Sequence, residues 1–389
     1  MMRRAVWALG SRLPASVRRF AKVVPGSGRL RRMATGRPGG PLPRSGTRRP
    51  VVYLPTWARW DVMRQRPQFL LEAFADAGHP VYFVDPRERA QRSSGGVSIV
   101  PSLDEVPGEH VILYVHFAPL RELINRFSDA IVVYDILDDL SIYEADEVGI
   151  PTERTVAYHH PFLVERANQV IASNAVLEER HRPERSDVIL VENGVDVGQF
   201  SKPARRPADL PAGDGPLIGY RGAIAQWFDF DLLRAVAGAE PGWRFVLVGP
   251  IDDRVVAQVD RLSDLPNVTF MGERASDAMA SYAQAFDVEA VWFVVDELTR
   301  GVTPLKVYEA LAAGTPVVST PLPACEAIPV VRTAVGPQAF ARALAGAQED
   351  ALDSAWLSRA SSTAHAADWS RRLDPLLVRL DETNQRKVP

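Results

Sequence analysis

Cysteine is almost missing from this chain of 389 residues: Cys325 stands alone, which excludes an intramolecular disulfide and fits a reducing compartment. No group of Cys and His has the spacing of a zinc site. No apolar run approaches about 18 residues, so no transmembrane helix is expected. Acidic side chains are absent from the first 49 positions, and Arg12, Pro14, Arg18 and Arg19 leave no apolar core there for a secretory signal. The folded body is therefore expected in the cytoplasm. A complete GxGxxG fingerprint is lacking too, which counts against an NAD-linked oxidoreductase.

What is present is an ordinary globular composition, 46% hydrophobic and 24% charged, long enough for two domains. The formal charge of −3 hides an asymmetry. Residues 1–49 hold thirteen Lys and Arg, which leaves 32 basic against 48 acidic residues in the rest. Within this arm, Leu13, Val17 and Phe20 fall at helical spacing among arginines, as in an amphipathic segment lying on an anionic bilayer. The other reading is an Arg-rich extension without a partner, running into the Pro/Gly stretch 36–50. No aromatic-interleaved basic platform points to nucleic acid, and none is expected as a partner.

From residue 51 onward short apolar runs alternate with helical stretches. Strands are expected at 51–55, 80–86, 110–118, 130–136, 169–174 and 188–194, with a helix at 66–77 ended by Gly78. Most of these runs are β-branched and unalternated, the pattern of parallel strands covered on both faces. After the Pro/Gly/Asp-rich stretch 201–216 the alternation restarts. Strands are expected at 216–222, 243–250, 267–273, 288–294 and 315–321, and helices at 230–239, 279–286 and 304–314. A terminal amphipathic helix is expected over 366–384, interrupted near Pro375. The fold class is α/β, with two Rossmann-like doubly wound parallel-sheet domains facing a cleft. The expected boundaries are a basic arm 1–49, a first domain 50–200, a linker 201–216, a second domain 217–365 and a terminal helix and tail 366–389.

The densest local signal is GVTPLKVYEALAAGTPVVST, residues 301–320. Thr303 is expected as helix cap and Pro304 at the first helical position, followed by Leu305. The free amides and positive dipole end of such a helix suit a diphosphate. Lys306 would neutralise phosphate charge, and Glu309, near the same face, would hold ribose hydroxyls; a surface Lys–Glu pair is the alternative. In IGYRGAIAQWFD (218–229), Arg221 and Gly222 follow a strand, where a guanidinium meets phosphate through parallel hydrogen bonds. An ion pair of Arg221 with Asp229 or Asp231 competes. In the first half, Arg64, Arg66 and Gln68 follow the first strand beside a helix start at Pro67, as phosphate or acceptor contacts or as plain surface charge. His116 ends a strand, either as a hydroxyl-contacting and catalytic group or as a satisfied core histidine. Asp135 and Asp138 end another; helix capping by Asp138 or Asp139 competes there with Mg²⁺.

RQRPQFL (64–70), VVYDILDD (132–139), ASNAVL (172–177), VENGVDVGQF (191–200), IGYRGAI (218–224), LPNVTFMGE (265–273) and PLKVYEALAAGTPVVST (304–320), in this order, resemble the retaining family 4 glycosyltransferases of the GT-B fold. The likeness is to the bacterial subgroup with RPQ and PLKxYE segments, of the teichuronic-acid and surface-polysaccharide type. It implies that Glu309 grips the donor ribose and that Arg221 and Lys306 meet the diphosphate. It further implies that Gly272 and Glu273 lie beside the nucleobase and that His116 lies near the donor sugar. The first glutamate of the family's Glu-x7-Glu motif would fall at Gly301, so Glu297 or Thr299 would have to take its role.

The implied reaction moves a sugar from a nucleoside diphosphate sugar to a hydroxyl acceptor, a glycan or lipid-linked glycan, with no cofactor and no required metal. A sugar-nucleotide epimerase of the same fold and a catalytically inactive scaffold are the alternatives. If the arm holds the protein on the inner membrane face, deleting residues 1–48 will abolish sedimentation with anionic vesicles at low salt; unchanged sedimentation removes that reading.

Overall fold

Unbroken β-branched runs such as VVY and IVVYDI bury both faces of a strand, and they build two parallel sheets. The computed structural model describes residues 38, 40, 48–54, 56, 58–61, 64–138 and 158–386. The expected amphipathic segment around Leu13, Val17 and Phe20, the rest of the basic arm except Pro38, Gly40, Arg48 and Arg49, and Asp139 lie outside the described residues. Contacts gather the chain into two compact units. One comprises Met1–Trp60, Phe74–Asp135 and Asp139–Val170, and the other Asp61–Ala73, Ile136–Asp138 and Ile171–Pro389.

The first sheet contains β1 (Val51–Tyr53), β2 (Val81–Val84), β3 (Arg92–Ser94), β4 (Val97–Val100), β5 (Ile112–Val115), β6 (Ile131–Ile136), β7 (Gln169–Ala172) and β8 (Ile189–Leu190). Their order is β3-β4-β2-β1-β5-β6-β7-β8. β1 runs parallel to β2 on one side and to β5 on the other, with Tyr53 opposite Phe83 and Tyr114. The order therefore reverses at β1 and β5, and loops leaving their carboxyl ends diverge to leave a crevice. The antiparallel pair β3–β4 was not expected from the sequence. Its signal is Gly95-Gly96, both at positive φ (55° and 75°), as a two-residue hairpin turn requires.

The second sheet contains β9 (Leu217–Arg221), β10 (Arg244–Val248), β11 (Val268–Gly272), β12 (Val288–Val291), β13 (Val317–Ser319) and β14 (Arg332–Thr333). The order is β11-β10-β9-β12-β13-β14, and every pairing is parallel. Here the reversal falls at β9 and β12. Helices Phe230–Ala239, Met279–Ala285, Leu305–Ala312, Pro337–Asp350 and Ser354–Ala366 accompany the strands. The main core joins Leu233, Val236, Trp292, Phe340 and Leu344.

Two local expectations need correction. Helix Leu305–Ala312 takes Pro304 as its cap residue, at ψ 119°, rather than as its first helical residue, so Thr303 stands outside the helix. The terminal helix runs unbroken over Trp369–Arg386 with Pro375 inside it. Leu373, Leu376 and Leu380 are buried on one face while Pro375 lies exposed, so packing holds the helix together across one missing N–H.

Phe340 is fully buried with its ring centroid 4.6 Å from that of Trp292. Phe340→Ala should cost about 3–5 kcal/mol through lost burial and the cavity left behind, read from urea unfolding.

Candidate functional site

In β9, side chains alternate, so Gly219 and Arg221 share one face of the strand. Glu289 of β12 stands opposite Gly219 in the ladder, which brings its carboxylate to the same face. Gly219 is required there because a Cβ would lie 2.0 Å from the Phe286 ring. Arg221 then folds back onto Glu289: Nε and Nη2 both donate to Oε2, at 3.1 and 2.7 Å. Its Nη1 donates to Glu309 Oε2 at 2.8 Å. A further Nη2 contact reaches the Lys306 carbonyl at 3.4 Å. Arg221 is 3% exposed and Glu289 is completely buried. The competing ion pair expected with Asp229 or Asp231 is not the one formed; Asp229 instead caps helix Phe230–Ala239 by accepting from Leu232 N. Burial pushes the Glu289 carboxyl above its ordinary range, and Arg221 pulls it back.

Glu309 therefore turns to Arg221 rather than forming the surface pair with Lys306. The Lys306 ammonium lies over two rings, 4.3 Å from the Tyr220 centroid and 4.9 Å from that of Phe293. Burial lowers its pKa to about 8, against the attraction of Glu289 and Glu309. Gly222, at φ +131°, passes directly beneath it, since a Cβ there would sit 3.0 Å from Nζ. The three neighbouring strands β9, β10 and β11 each run out on a glycine: Gly222, Gly249 and Gly272. Gly222 N donates to Val248 O and Gly249 N to Gly272 O, and a Cβ on Gly249 would overlap the Gly222 carbonyl at 1.9 Å. Backbone alone therefore floors the carboxyl end of these strands. Gly249 and Glu289 were not singled out from the sequence, although a lone glutamate inside the apolar run VEAVWFV carried the signal.

The N-terminus of helix Leu305–Ala312 has no side-chain cap; Val307 N donates back to the Pro304 carbonyl at 3.2 Å, and the Leu305 and Lys306 amides precede the first helical hydrogen bond. Thr303 is buried and its hydroxyl has no hydrogen-bond partner, while its carbonyl accepts from Asn193 Nδ2 at 2.8 Å. Asn193 Oδ1 in turn accepts from Arg66 Nη1 at 3.3 Å, and Arg66 is 1% exposed. Gln68 is buried and accepts from Gln65 N at 3.2 Å, closing the start of its own helix. Arg64 is paired with Glu72 and lies over Phe69. Pro304 is buried, Leu305 partly so, and Glu273 is exposed. The Gly301 carbonyl accepts from Asn174 Nδ2 at 2.6 Å. Glu297 is exposed and paired with Arg180, and Thr299 is fully buried against Asp296.

In the other unit, the reversal of the first sheet brings Tyr53 at the end of β1 beside His116 just after β5. The Tyr53 hydroxyl lies 2.9 Å from His116 Nδ1 and 3.3 Å from Thr56 Oγ1, and the two rings stack at 5.4 Å. Burial lowers the His116 pKa to about 4, with Asp135 opposing the shift. Asp135 is fully buried and accepts from the Tyr114 hydroxyl, while Asp138 is partly exposed. Among the described residues no cluster of three His, Cys, Asp or Glu could hold a metal ion, and no helix is long and apolar enough to cross a membrane.

Residues 216–352 match the family model of glycosyl transferases group 1. TuaH of Bacillus subtilis, assigned to teichuronic acid biosynthesis as a glycosyltransferase, is 28% identical over 237 residues, which cover 57% of this chain and 60% of TuaH. The chain thus matches less than two thirds of that relative's length. Among solved structures, sucrose-phosphate synthase from Thermosynechococcus elongatus is similar with a TM-score of 0.63 at 19% identity, over 86% of this chain and 100% of its own. Anabaena HepE, solved in complex with UDP and glucose, gives a TM-score of 0.60 at 16% identity, over 86% of this chain and 100% of its own. These two likenesses are of fold, and the fold is GT-B.

The depressed His116 pKa makes the unfolded chain the stronger proton binder between pH 6.5 and about 4. Its contribution is present in full above 6.5 and drains away as pH falls through that window, by up to about 3 kcal/mol. Urea unfolding at several pH values should show His116→Gln losing less stability between pH 7 and 4.5 than the parent, by roughly that amount.

Proposed function

We propose, from the match of residues 216–352 to the family model of glycosyl transferases group 1 and from the GT-B fold, that this chain moves a sugar from a nucleoside diphosphate sugar to a hydroxyl acceptor. One observation carries the donor half of this reading. The Lys306 ammonium is held over Gly222 at the end of β9, on a helix whose first amides are uncapped. A side-chain-free strand end, an ammonium and a bare helix N-terminus together form a cradle for a diphosphate. Gly249 and Gly272 extend the open backbone floor toward β11, which leaves room for a nucleobase, and Glu309 is the carboxylate within reach for ribose hydroxyls. As the glycosidic bond breaks, negative charge grows on the leaving diphosphate. Lys306, the helix amides and Arg221 stabilise it electrostatically, and no proton has to move for that stabilisation to act.

The acceptor half is inferred from the relative in surface-polymer biosynthesis: a glycan or lipid-linked glycan hydroxyl, with retention of anomeric configuration. His116 enters as a neutral imidazole near neutral pH, able to donate or accept a hydrogen bond with a sugar hydroxyl but not to bring a positive charge. Thirteen basic residues in the first 49 suit an anionic membrane surface on which such an acceptor would be presented.

Calorimetric titration of the full chain with UDP, GDP, ADP and dTDP should show one nucleotide binding in the micromolar range, on the order of 1–100 μM. Lys306→Ala and Glu309→Ala, checked for folding, should each weaken it by about tenfold to a hundredfold. A folded parent that binds none of the four removes the transferase reading in favour of an inactive scaffold.

A further inference from the structure

Glu289 is a carboxylate on a central strand of a parallel sheet, completely buried, with Oε1 lacking any hydrogen-bond partner. An ionised carboxylate in such a place persists only when cations pair with it. Its Oε2 takes two N–H groups from Arg221, those of Nε and Nη2. Glu309 takes only Nη1, and its side chain keeps 16% exposure where that of Glu289 has none. The two carboxylates that hold Arg221 are thus unequal: one is locked in by the strand, the other sits on a helix within reach of solvent.

We propose that Glu289 is a positioning residue of the donor site, the fixed counter-charge that holds Arg221 in place, and that Glu309 is the exchangeable partner which leaves Arg221 when a diphosphate arrives. This rests on the donor-site reading above. Arg221 and Lys306 thus stand among two carboxylates, those of Glu289 and Glu309. When Glu309 swings from Nη1 to the ribose, that nitrogen is freed for a phosphate oxygen. The remaining Nε and Nη2 contacts keep the guanidinium plane where it was, so the site gains a donor without reorganising the strand. The ligand's negative charge replaces that of Glu309 beside Arg221, and no cation is left bare at any stage.

The same arrangement sets a pH limit. Lys306 faces Glu289 from β12, Arg221 from β9, Glu309 from its own helix and Cys325 from the segment after β13, with the rings of Tyr220 and Phe293 against its ammonium. Burial and Arg221 favour the neutral amine, whereas Glu289 and Glu309 favour the ammonium. Because Glu289 is the strongest of the favouring charges, removing its charge should release the Lys306 proton at lower pH.

The test is calorimetric affinity of the full chain for whichever of UDP, GDP, ADP and dTDP the parent binds, from pH 6 to 9.5. Parent affinity should fall as pH rises past about 8, and Lys306→Met should flatten this dependence. In Glu289→Gln the fall should begin about one pH unit lower or more. Glu289→Asp keeps the charge and should restore the parent midpoint while weakening affinity severalfold, because the shorter arm no longer holds Arg221. Glu309→Gln should move the midpoint less than Glu289→Gln. A parent midpoint in folded Glu289→Gln, or a larger shift in Glu309→Gln, overturns the inference and leaves the donor site standing. Should Glu289→Gln not fold, parent-like affinity in Glu289→Asp overturns it instead. A parent that binds none of the four nucleotides defeats the donor site itself.

Discussion

A guanidinium shut into the carboxyl end of a parallel sheet is the constraint around which the second unit is arranged. Arg221 has 3% of its surface exposed, so each of its donors needs an acceptor supplied by the protein. Glu289 supplies one from the neighbouring strand and Glu309 one from the helix, and the Lys306 carbonyl supplies a third. Each supplier constrains its own element. Glu289 must point to the face shared by Gly219 and Arg221, so the β9–β12 register cannot slip by one residue without turning it away. Gly219 must stay bare for Phe286. Helix Leu305–Ala312 must present its first turn to the strand end, because Glu309 and the Lys306 carbonyl both reach Arg221. The charge group thus fixes the helix start, and with it the position of the proposed diphosphate cradle.

A similar logic recurs in the first unit with different chemistry. There too the buried polar groups stand where the strand order reverses, at the ends of β1 and β5. The group is hydroxyl and imidazole, Tyr53 with Thr56 and His116, beside Tyr114 bonded to Asp135. Burial there drives the imidazole toward its neutral form, with Asp135 opposing the shift. One unit therefore gathers an arginine, a lysine and two carboxylates at its strand ends, and the other gathers hydroxyl and imidazole groups beside a single buried aspartate.

Much of this was legible in the sequence because parallel strands write themselves as unbroken apolar runs. VVY, ILYV, IVVYDI and RFVLV all became strands, and the restart after residue 216 marks the second sheet. PLKVYEALAAG announced the helix, which forms over Leu305–Ala312. What could not be read was pairing across long separations. That Arg221 would meet Glu289, 68 residues away, depends on β9 and β12 being neighbours, a fact of strand order that no local pattern encodes. Asp229 was a plausible partner by proximity, but Asp before an apolar helix is better used as a cap. Pro304 and Pro375 were misjudged for a related reason. Local rules place proline inside a first turn or at a break, whereas Pro304 keeps an extended ψ of 119° just outside its helix and buried leucines hold the terminal helix together across Pro375. RPQ was read as surface or ligand-facing charge. Its arginine proved buried, tied through Asn193 to the loop carrying Thr303, and its glutamine closes its own helix.

The two cations of the site are prepared differently, and the difference bears on how it works. Arg221 makes five hydrogen-bond donors available, and most are spent on the protein, so its position is rigid but its capacity for a ligand is small. Lys306 is stabilised by the faces of Tyr220 and Phe293, which attract a cation without occupying its N–H groups. An ammonium held this way is partly desolvated before any ligand arrives, and its donors remain to be used. A phosphate oxygen that replaces its remaining water forms a stronger contact than it would with a solvated lysine, since less solvent must be displaced at that moment. The rings thus do for Lys306 what the carboxylates do for Arg221, holding a positive charge in a poorly solvated place. They do so without occupying its N–H groups, so in the proposed donor site Lys306 is the cation with donors left for a ligand and Arg221 the one whose place the protein itself fixes.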